Sequence, residues 1–408
     1  MSRSTPLHVL FIASEADPFI KVGGLGDVAG WLPPAIRKLS WSSTTHNREI
    51  DIRLAIPFHG EIQRNQYDLK PVTTLTIPYK DGPIQADVFE CLHQGVQAYL
   101  IGGAPFSADE PVYSNDNLRD GIKYTFFSLA CLELARALDW QPHVLHANDW
   151  HTAPAVYSLS LNRQNDLFFR GTSTLLTVHN LPYLGTGAEL AMAGFGLPAA
   201  FDSPLPWWAQ DLPLPLGLLT ADHIVAVSPT YAQEILTPEF GSGLYDFLAT
   251  RANSITGILN GIDMERWNPA TDDHLAAKYD LNSLQDRRIN KMALQQEFGL
   301  APDPAIPLLA MITRMDNQKG VDLALEALRQ LALSPESSQG KWQAIILGTG
   351  IPSLEDIARQ TEANYPGQVR SVIRFDPSLS RRIYGSADAI LIPSRYEPCG
   401  LAQMIAMR

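Results

Sequence analysis

Only three of the 408 residues are cysteine, and Cys91, Cys131 and Cys399 are far apart with no C-x-x-C spacing. That scarcity excludes a disulfide framework and a zinc ribbon, and free thiols fit a reducing cytoplasm. No stretch approaches the ~18 uninterrupted apolar residues of a membrane span, and the N-terminal apolar run ends at Glu15 without a signal-peptide cleavage pattern. Positive charge is also scarce. Lys and Arg number 31 against 43 Asp and Glu, a formal net charge of -12, which is the wrong sign for a nucleic-acid phosphate backbone. The expectation is a soluble cytoplasmic protein with no membrane or nucleic-acid partner. Its cationic contacts with any anionic ligand must be few and local.

What is present is a globular composition, 45% hydrophobic and 18% charged, in a chain long enough for two large domains. The runs HVLFIASE, IDIRLAIPF, VQAYLIGG, HVLHAND, TSTLLTVHN and DHIVAVSP each read as a buried strand ending in polar or glycine-containing residues. Between them GIKYTFFSLACLELARAL has helical spacing, and PTYAQEIL follows Ser228 and Pro229, an N-cap and first-turn pair. The pattern then restarts, with PLLAMITR, WQAIILGTG, VRSVIRF and AILIPS as strands and GVDLALEALRQLAL and SLEDIARQTEAN as helices. SPESSQGKW between them reads as an exposed loop. Alternation of this kind predicts an α/β fold of two doubly wound parallel-sheet domains, with ligands at the carboxyl ends of the strands and a cleft between the domains.

Four stretches carry chemistry. KVGGLGDVAG, residues 21–30, matches the dinucleotide pattern G-x-G-x-x-G/A at Gly24, Gly26 and Ala29. The context does not fit that pattern: residues 13–20 intervene between strand and loop, and Asp51 lies at the start of its strand rather than its end. The loop is instead expected to bring the bare N–H groups of Gly23 and Gly24 near a diphosphate, with Lys21 as a point charge and a helix N-terminus behind it. A flexible turn with an incidental lysine is the competing reading.

HANDWHTA places His146, Asn148, Asp149 and His151 at a strand end. Their spacing is not the i, i+4 arrangement of a zinc helix and no third ligand is evident, so no metal is expected. Asp149 is suited to hydrogen-bonding sugar hydroxyls or orienting a neighbour. His179 and Asn180 take the equivalent place on the next strand, where two successive polar strand ends suggest a lined pocket. ITRMDNQKG sets Arg314 and Lys319 past another strand, suited to a leaving diphosphate, although most such pairs are surface salt bridges worth under ~1 kcal/mol. SRYEPCGLAQM puts Glu397 at a strand-to-helix junction, with backbone N–H groups around Cys399 and Gly400. Cys399 itself reads as packing, since nothing beside it in sequence would lower its pKa.

Taken together and in order, KVGGLGDVAG, HANDWHTA, TVHN, ADHIVAVSPTYAQEI, GILNGID followed by WNP, ITRMDNQKG and SRYEPCGL resemble the bacterial glycogen synthase and plant starch synthase family. The resemblance implies a GT-B glycosyltransferase, with Rossmann-like domains at 1–253 and 254–408 facing a deep cleft. It implies transfer of glucose from ADP-glucose to the non-reducing end of an α-1,4-glucan, with retention of configuration and without metal or cofactor. Carried over by position, Lys21 approaches the donor phosphates and glucose, and Asp27, Asp149, His179 and Asn260 surround the donor sugar. Arg314 and Lys319 neutralise the distal phosphate, Glu397 holds the transferred glucose, and Phe375 stands where some members place tyrosine near the base.

Two departures from the family pattern stand out. PWWAQDLPLPLGLLTAD replaces a stretch resembling F-N-F-L-K-A-G-L, which leaves acceptor preference open, with Trp207 and Trp208 suited either to glucan stacking or to packing. The chain ends at Arg408, where family members continue, so the second domain is expected to be incomplete. A retaining transferase using UDP-glucose or a small acceptor, and a weakly active glucan-binding paralogue, remain as alternatives.

Overall fold

The computed structural model describes residues 6–39, 41–42, 47–107, 109–334 and 342–408; most of the expected exposed loop, 335–341, lies outside them. The chain divides into two compact units, Met1–Asn260 and Gly261–Arg408.

The first unit is built on a nine-stranded sheet. Its strands are β1 (Leu7–Ile12), β2 (Ile50–Pro57), β3 (Lys70–Ile77), β4 (Ile84–His93), β5 (Val96–Gly103), β6 (Val144–Asn148), β7 (Ser173–Val178), β8 (His223–Ala226) and β9 (Ile255–Gly257). They lie in the order β9-β8-β7-β6-β1-β2-β5-β4-β3. All neighbours from β9 to β5 are parallel, while β4 pairs antiparallel with both β5 and β3. The expectation of a wholly parallel sheet is corrected at that edge. A two-residue-period run on each side of Asp81 and Gly82, the latter at φ 119°, makes a hairpin. Strand β9, beyond the expected domain end at 253, pairs with β8 and so belongs to this sheet.

Central strands are apolar without interruption because both faces are covered. On β1, Val9 and Phe11 pack with Leu25 and Ala29 of helix α1 (Gly24–Lys38), while Leu10 and Ile12 on the alternate face are also fully buried. Helices α2 (Asn117–Ala137) and α3 (Asp149–Asn162) precede and follow β6. The expected N-cap is formed: Ser228 Oγ accepts from Tyr231 N at 3.0 Å.

The second unit has four parallel strands, β10 (Leu308–Ile312), β11 (Gln343–Gly348), β12 (Val369–Ile373) and β13 (Ala389–Ile390), in the order β12-β11-β10-β13. Alternation along β11 again serves two faces. Ala344 and Ile346 join a cluster with Val321, Leu325 and Leu354, whereas Ile345 and Leu347 join one with Leu294, Leu379 and Ile383. In the first sheet β6 is added on the opposite side of β1 from β2, and in the second β13 is added on the opposite side of β10 from β11. Crevices at the carboxyl ends of such strands are where doubly wound sheets bind ligands.

Candidate active site

In the first unit, the carboxyl end of β1 runs into Glu15, whose side chain is almost wholly buried. Its Oε2 accepts from the backbone N–H groups of Val22 and, at 3.1 Å, Gly23. Its Oε1 accepts from the Tyr113 hydroxyl at 3.0 Å. Burial raises the Glu15 pKa, and the hydrogen bonds only partly offset it. This geometry corrects the reading of the glycine loop. The N–H groups of Val22 and Gly23 point at a carboxylate of the protein itself, so the Gly23 N–H expected to meet a diphosphate is already engaged. A Cβ on Gly26 would lie 2.9 Å from Glu15 Oε2, so this glycine seats the loop over the carboxylate. The expected helix does begin at Gly24, directly behind the loop. Lys21 Nζ donates to Asp27 Oδ1 at 2.7 Å, and both side chains are about a quarter exposed.

At the adjacent strand ends, Asp149, His179 and Asn180 come together. Asp149 opens α3 at a left-handed φ of 56°, and its Oδ1 accepts from His179 N at 2.7 Å and Asn180 N at 3.4 Å. Burial pushes its carboxyl up to about 7 in spite of these bonds, and the nearby Glu15 adds to the rise. His179 Nε2 meets Asn148 Oδ1 at 2.9 Å, and Asn148 Nδ2 donates to Ile12 O at 3.0 Å. Burial lowers His179 to about 3 and His146 likewise to about 3. Both rings are therefore neutral at physiological pH. His179 is suited to hydrogen bonding and not to carrying a positive charge. His151 is buried among Tyr113, Tyr124 and Trp150, and its Nδ1 has no hydrogen-bond partner among the described residues. Among the described residues no cluster of three or more His, Cys, Asp or Glu is arranged to hold a metal.

In the second unit, β10 and β13 are hydrogen-bonded neighbours, and the turns that leave them meet. Lys319 Nζ donates to Glu397 Oε1 and Oε2 at 2.8 and 2.9 Å, and Ser394 Oγ donates to Oε2 at 2.8 Å. Asp316 links the basic pair: Oδ2 accepts from Arg314 Nε at 2.6 Å and Oδ1 from Lys319 N at 2.9 Å. Gly320, at φ 63°, lets the turn pass close to the other strand end, since a Cβ there would stand 2.2 Å from Pro393 O. Cys399 is partly buried beside Gly400, which has φ 85° and precedes the short helix Leu401–Met407. Phe375, 62% exposed, follows β12, and Asn260 follows β9. Among the described residues no hydrogen bond ties Asn260 or Phe375 to these groups.

Sequence reasoning missed Glu15, Tyr113, Asp316 and Ser394. Glu15 had a legible signal, an acidic residue directly at the end of a buried apolar strand. Tyr113 had none, because its partners Ser14 and Glu15 are about a hundred residues away in sequence.

A family profile for the starch synthase catalytic domain matches residues 8–250, and one for glycosyl transferases group 1 matches residues 306–408. Glycogen synthases of Clostridium beijerinckii and Geotalea daltonii are each 36% identical, over 98% of this chain and 81% of their own. The structure of the catalytic domain of starch synthase IV from Arabidopsis thaliana bound to ADP and acarbose superposes with a TM-score of 0.85 at 31% identity, covering 98% of this chain and 81% of that one. Sucrose-phosphate synthase from Thermosynechococcus elongatus, at 15% identity and a TM-score of 0.57 over 98% of this chain and 78% of its own, shares the fold. No described helix is long and apolar enough to cross a membrane. Two parallel-sheet units with polar strand ends, together with these matches over nearly the whole chain, show that the chain belongs to the glycogen and starch synthase family of glucosyltransferases.

Proposed function

We propose that the chain transfers glucose from ADP-glucose to the non-reducing end of an α-1,4-glucan with retention of configuration. The observation that carries this reading is the Lys319–Glu397 pair with Arg314 on the same turn, at the point where the second sheet reverses its strand order. A departing diphosphate needs cations, and the sugar it leaves needs hydrogen-bond acceptors for its hydroxyls. This strand end offers both within one side-chain constellation.

Cleavage of the bond from C1 to phosphate builds negative charge on the nucleotide and positive charge on the sugar. Preorganised donors aimed at the leaving group lower that barrier, and loss of one costs roughly 3 to 4 kcal/mol. Arg314 and Lys319 take that role in this reading, with Asp316 holding the turn that carries both. Glu397 orients the transferred glucose. In the first unit Lys21 serves the donor from the loop that begins α1, with Asp27 and the loop glycines Gly23 and Gly24 around it. Asp149, His179 and Asn180 supply acceptors and neutral donors for sugar hydroxyls. Asn260, Phe375, Cys399 and Gly400 complete the donor contacts by position in the family pattern. The ADP and acarbose carried by the related starch synthase IV support a nucleoside diphosphate and a saccharide as ligands of this chain too.

The test is incorporation of radiolabelled glucose into glycogen from ADP-glucose and from UDP-glucose at equal concentration. Preferential incorporation from ADP-glucose supports the reading. Preference for UDP-glucose overturns the donor assignment, and incorporation from neither overturns the activity.

A further inference from the structure

We propose that Glu15 is a positioning residue for glucosyl transfer: its buried carboxylate fixes the backbone of the Lys21 loop, and Tyr113 fixes the carboxylate. The inference rests on the reading that this loop serves the donor. It goes beyond that reading by naming what holds the loop in place.

The geometry is specific on both sides of the carboxylate. One oxygen accepts from two consecutive loop N–H groups, Val22 and Gly23, immediately after Lys21. The other accepts from the Tyr113 hydroxyl, 3.0 Å away, which also lies 2.9 Å from Ser14 Oγ. Ser14 is pinned in turn, because its carbonyl oxygen lies 2.8 Å from His59 Nε2. The Tyr113 ring leans on the buried His151 ring with centroids 4.9 Å apart. The loop is therefore tied to the end of β1 through a chain of groups that are themselves held. Glycine at 26 completes the seat, since any Cβ there would enter the space of the carboxylate and of Lys21 Cγ, 3.1 Å away.

A buried carboxylate is a costly way to fill space. An apolar side chain would leave two N–H groups without acceptors and the start of α1 free to shift. The carboxylate answers a positional demand, and a misplacement of ~1 Å remote from the chemistry can cost about a hundredfold in rate.

Reach and charge are separable. Glu15→Gln keeps the reach: its carbonyl oxygen can accept from Val22 and Gly23, and its amide can donate to Tyr113, whose own proton turns to Ser14. Glu15→Asp keeps the charge but is one methylene short of the loop. Steady-state kinetics with ADP-glucose and glycogen, thermal unfolding, and amide hydrogen exchange over residues 20–27 test the two. The expected result is a kcat for Glu15→Gln within about threefold of wild type, and for Glu15→Asp a loss of at least about thirtyfold, with glycogen KM unchanged and faster exchange in the loop. A kcat for Glu15→Asp within about threefold of wild type, or equal losses in both variants, overturns the proposal. Should Glu15→Asp fail to fold, Tyr113→Phe decides: a several-fold lower kcat at unchanged glycogen KM supports the anchor, and an unchanged kcat overturns it. Failure of the wild-type chain to use ADP-glucose would instead overturn the donor reading. The exchange measurement still reports whether Glu15 fixes the loop, and unchanged exchange in Glu15→Asp refutes it.

Discussion

Lys319 Nζ donates to both carboxylate oxygens of Glu397, at 2.8 and 2.9 Å, across 78 residues of sequence. The pair is partly exposed, about 23% on each side, so its contribution to stability is small, under about 1 kcal/mol. Its value lies in orientation, because each charge keeps the other facing the strand ends. Lys319→Ala is expected to lower turnover of ADP-glucose by at least about a hundredfold. The melting temperature should stay within about 3 °C of wild type. Arg314→Ala should behave alike, since Arg314 shares Asp316 with the Lys319 backbone. Near-normal turnover in either variant would remove these residues from the leaving-group role.

Asp149 predicts a pH dependence of opposite sign to that of most salt-bridged carboxylates. Its folded pKa is raised to about 7 by burial, so the native state holds a proton that the unfolded chain has lost above pH ~4. Its contribution to stability is therefore lost as pH rises through that window and stays constant above about 7. Asp149→Asn keeps the acceptor for His179 N and Asn180 N and suits the left-handed backbone at this position. The stability of this variant relative to wild type should climb between pH 4 and 7 and level off beyond, as read by urea unfolding at a series of pH values. A flat difference across the range would contradict the assignment. Activity is expected to fall in the same variant if the carboxylate is used on substrate hydroxyls.

How far the sequence spoke for itself differs between these two examples. Lys319 and Glu397 were legible because each follows a short apolar strand, and parallel neighbours bring such strand ends together. Asp149 was legible as a strand-end polar residue, but its raised pKa was not, since burial is a property of the whole fold. The glycines of 21–30 were legible as a special loop, but the partner of the Gly23 N–H was not. Bare N–H groups imply some anion, and only the fold reveals that for Val22 and Gly23 it is Glu15. The antiparallel hairpin of β3 and β4 was missed although VTTLTI alternates and Asp81-Gly82 marks a turn, because a strand with one exposed face carries a weaker apolar signal than a strand buried on both faces.

The two tryptophans of the divergent 205–217 segment separate cleanly in the structure. Trp208 is partly buried, and a Cβ on Gly243 would come within 2.9 Å of its ring, whereas Trp207 is 85% exposed. Stacking on a sugar needs an open aromatic face, so Trp207 is the one available to an acceptor glucan. Trp207→Ala is expected to raise the KM for glycogen several-fold without altering the KM for the nucleotide sugar or the melting temperature. Trp208→Ala should do the reverse, lowering the melting temperature first. Equal effects of both on glycogen KM would show that the pair does not divide in this way.

The turn bearing Arg314 is held from the neighbouring strand end. Met315 N donates to Thr349 O at 2.9 Å and Ile351 N to Met315 O at 2.8 Å. A Cβ on Gly348 would stand 1.9 Å from Thr313 O. Gly348 closes β11 within the core, so the added methyl of Gly348→Ala has no exit except by moving residue 313, the one directly before Arg314. Overpacking of this kind costs typically about 1–3 kcal/mol, and here the displaced backbone is the mount of a proposed catalytic cation. Gly367→Ala in the same unit is the control, because nothing lies within 4 Å of a Cβ built there. Calorimetry and turnover measured side by side should show both quantities lowered by Gly348→Ala and neither by Gly367→Ala. A variant Gly348→Ala that is destabilised but fully active would mean that the position of Arg314 is not limiting for the reaction. Equal behaviour of the two variants would mean that the close approach of the two strand ends carries no strain that the unit cannot absorb.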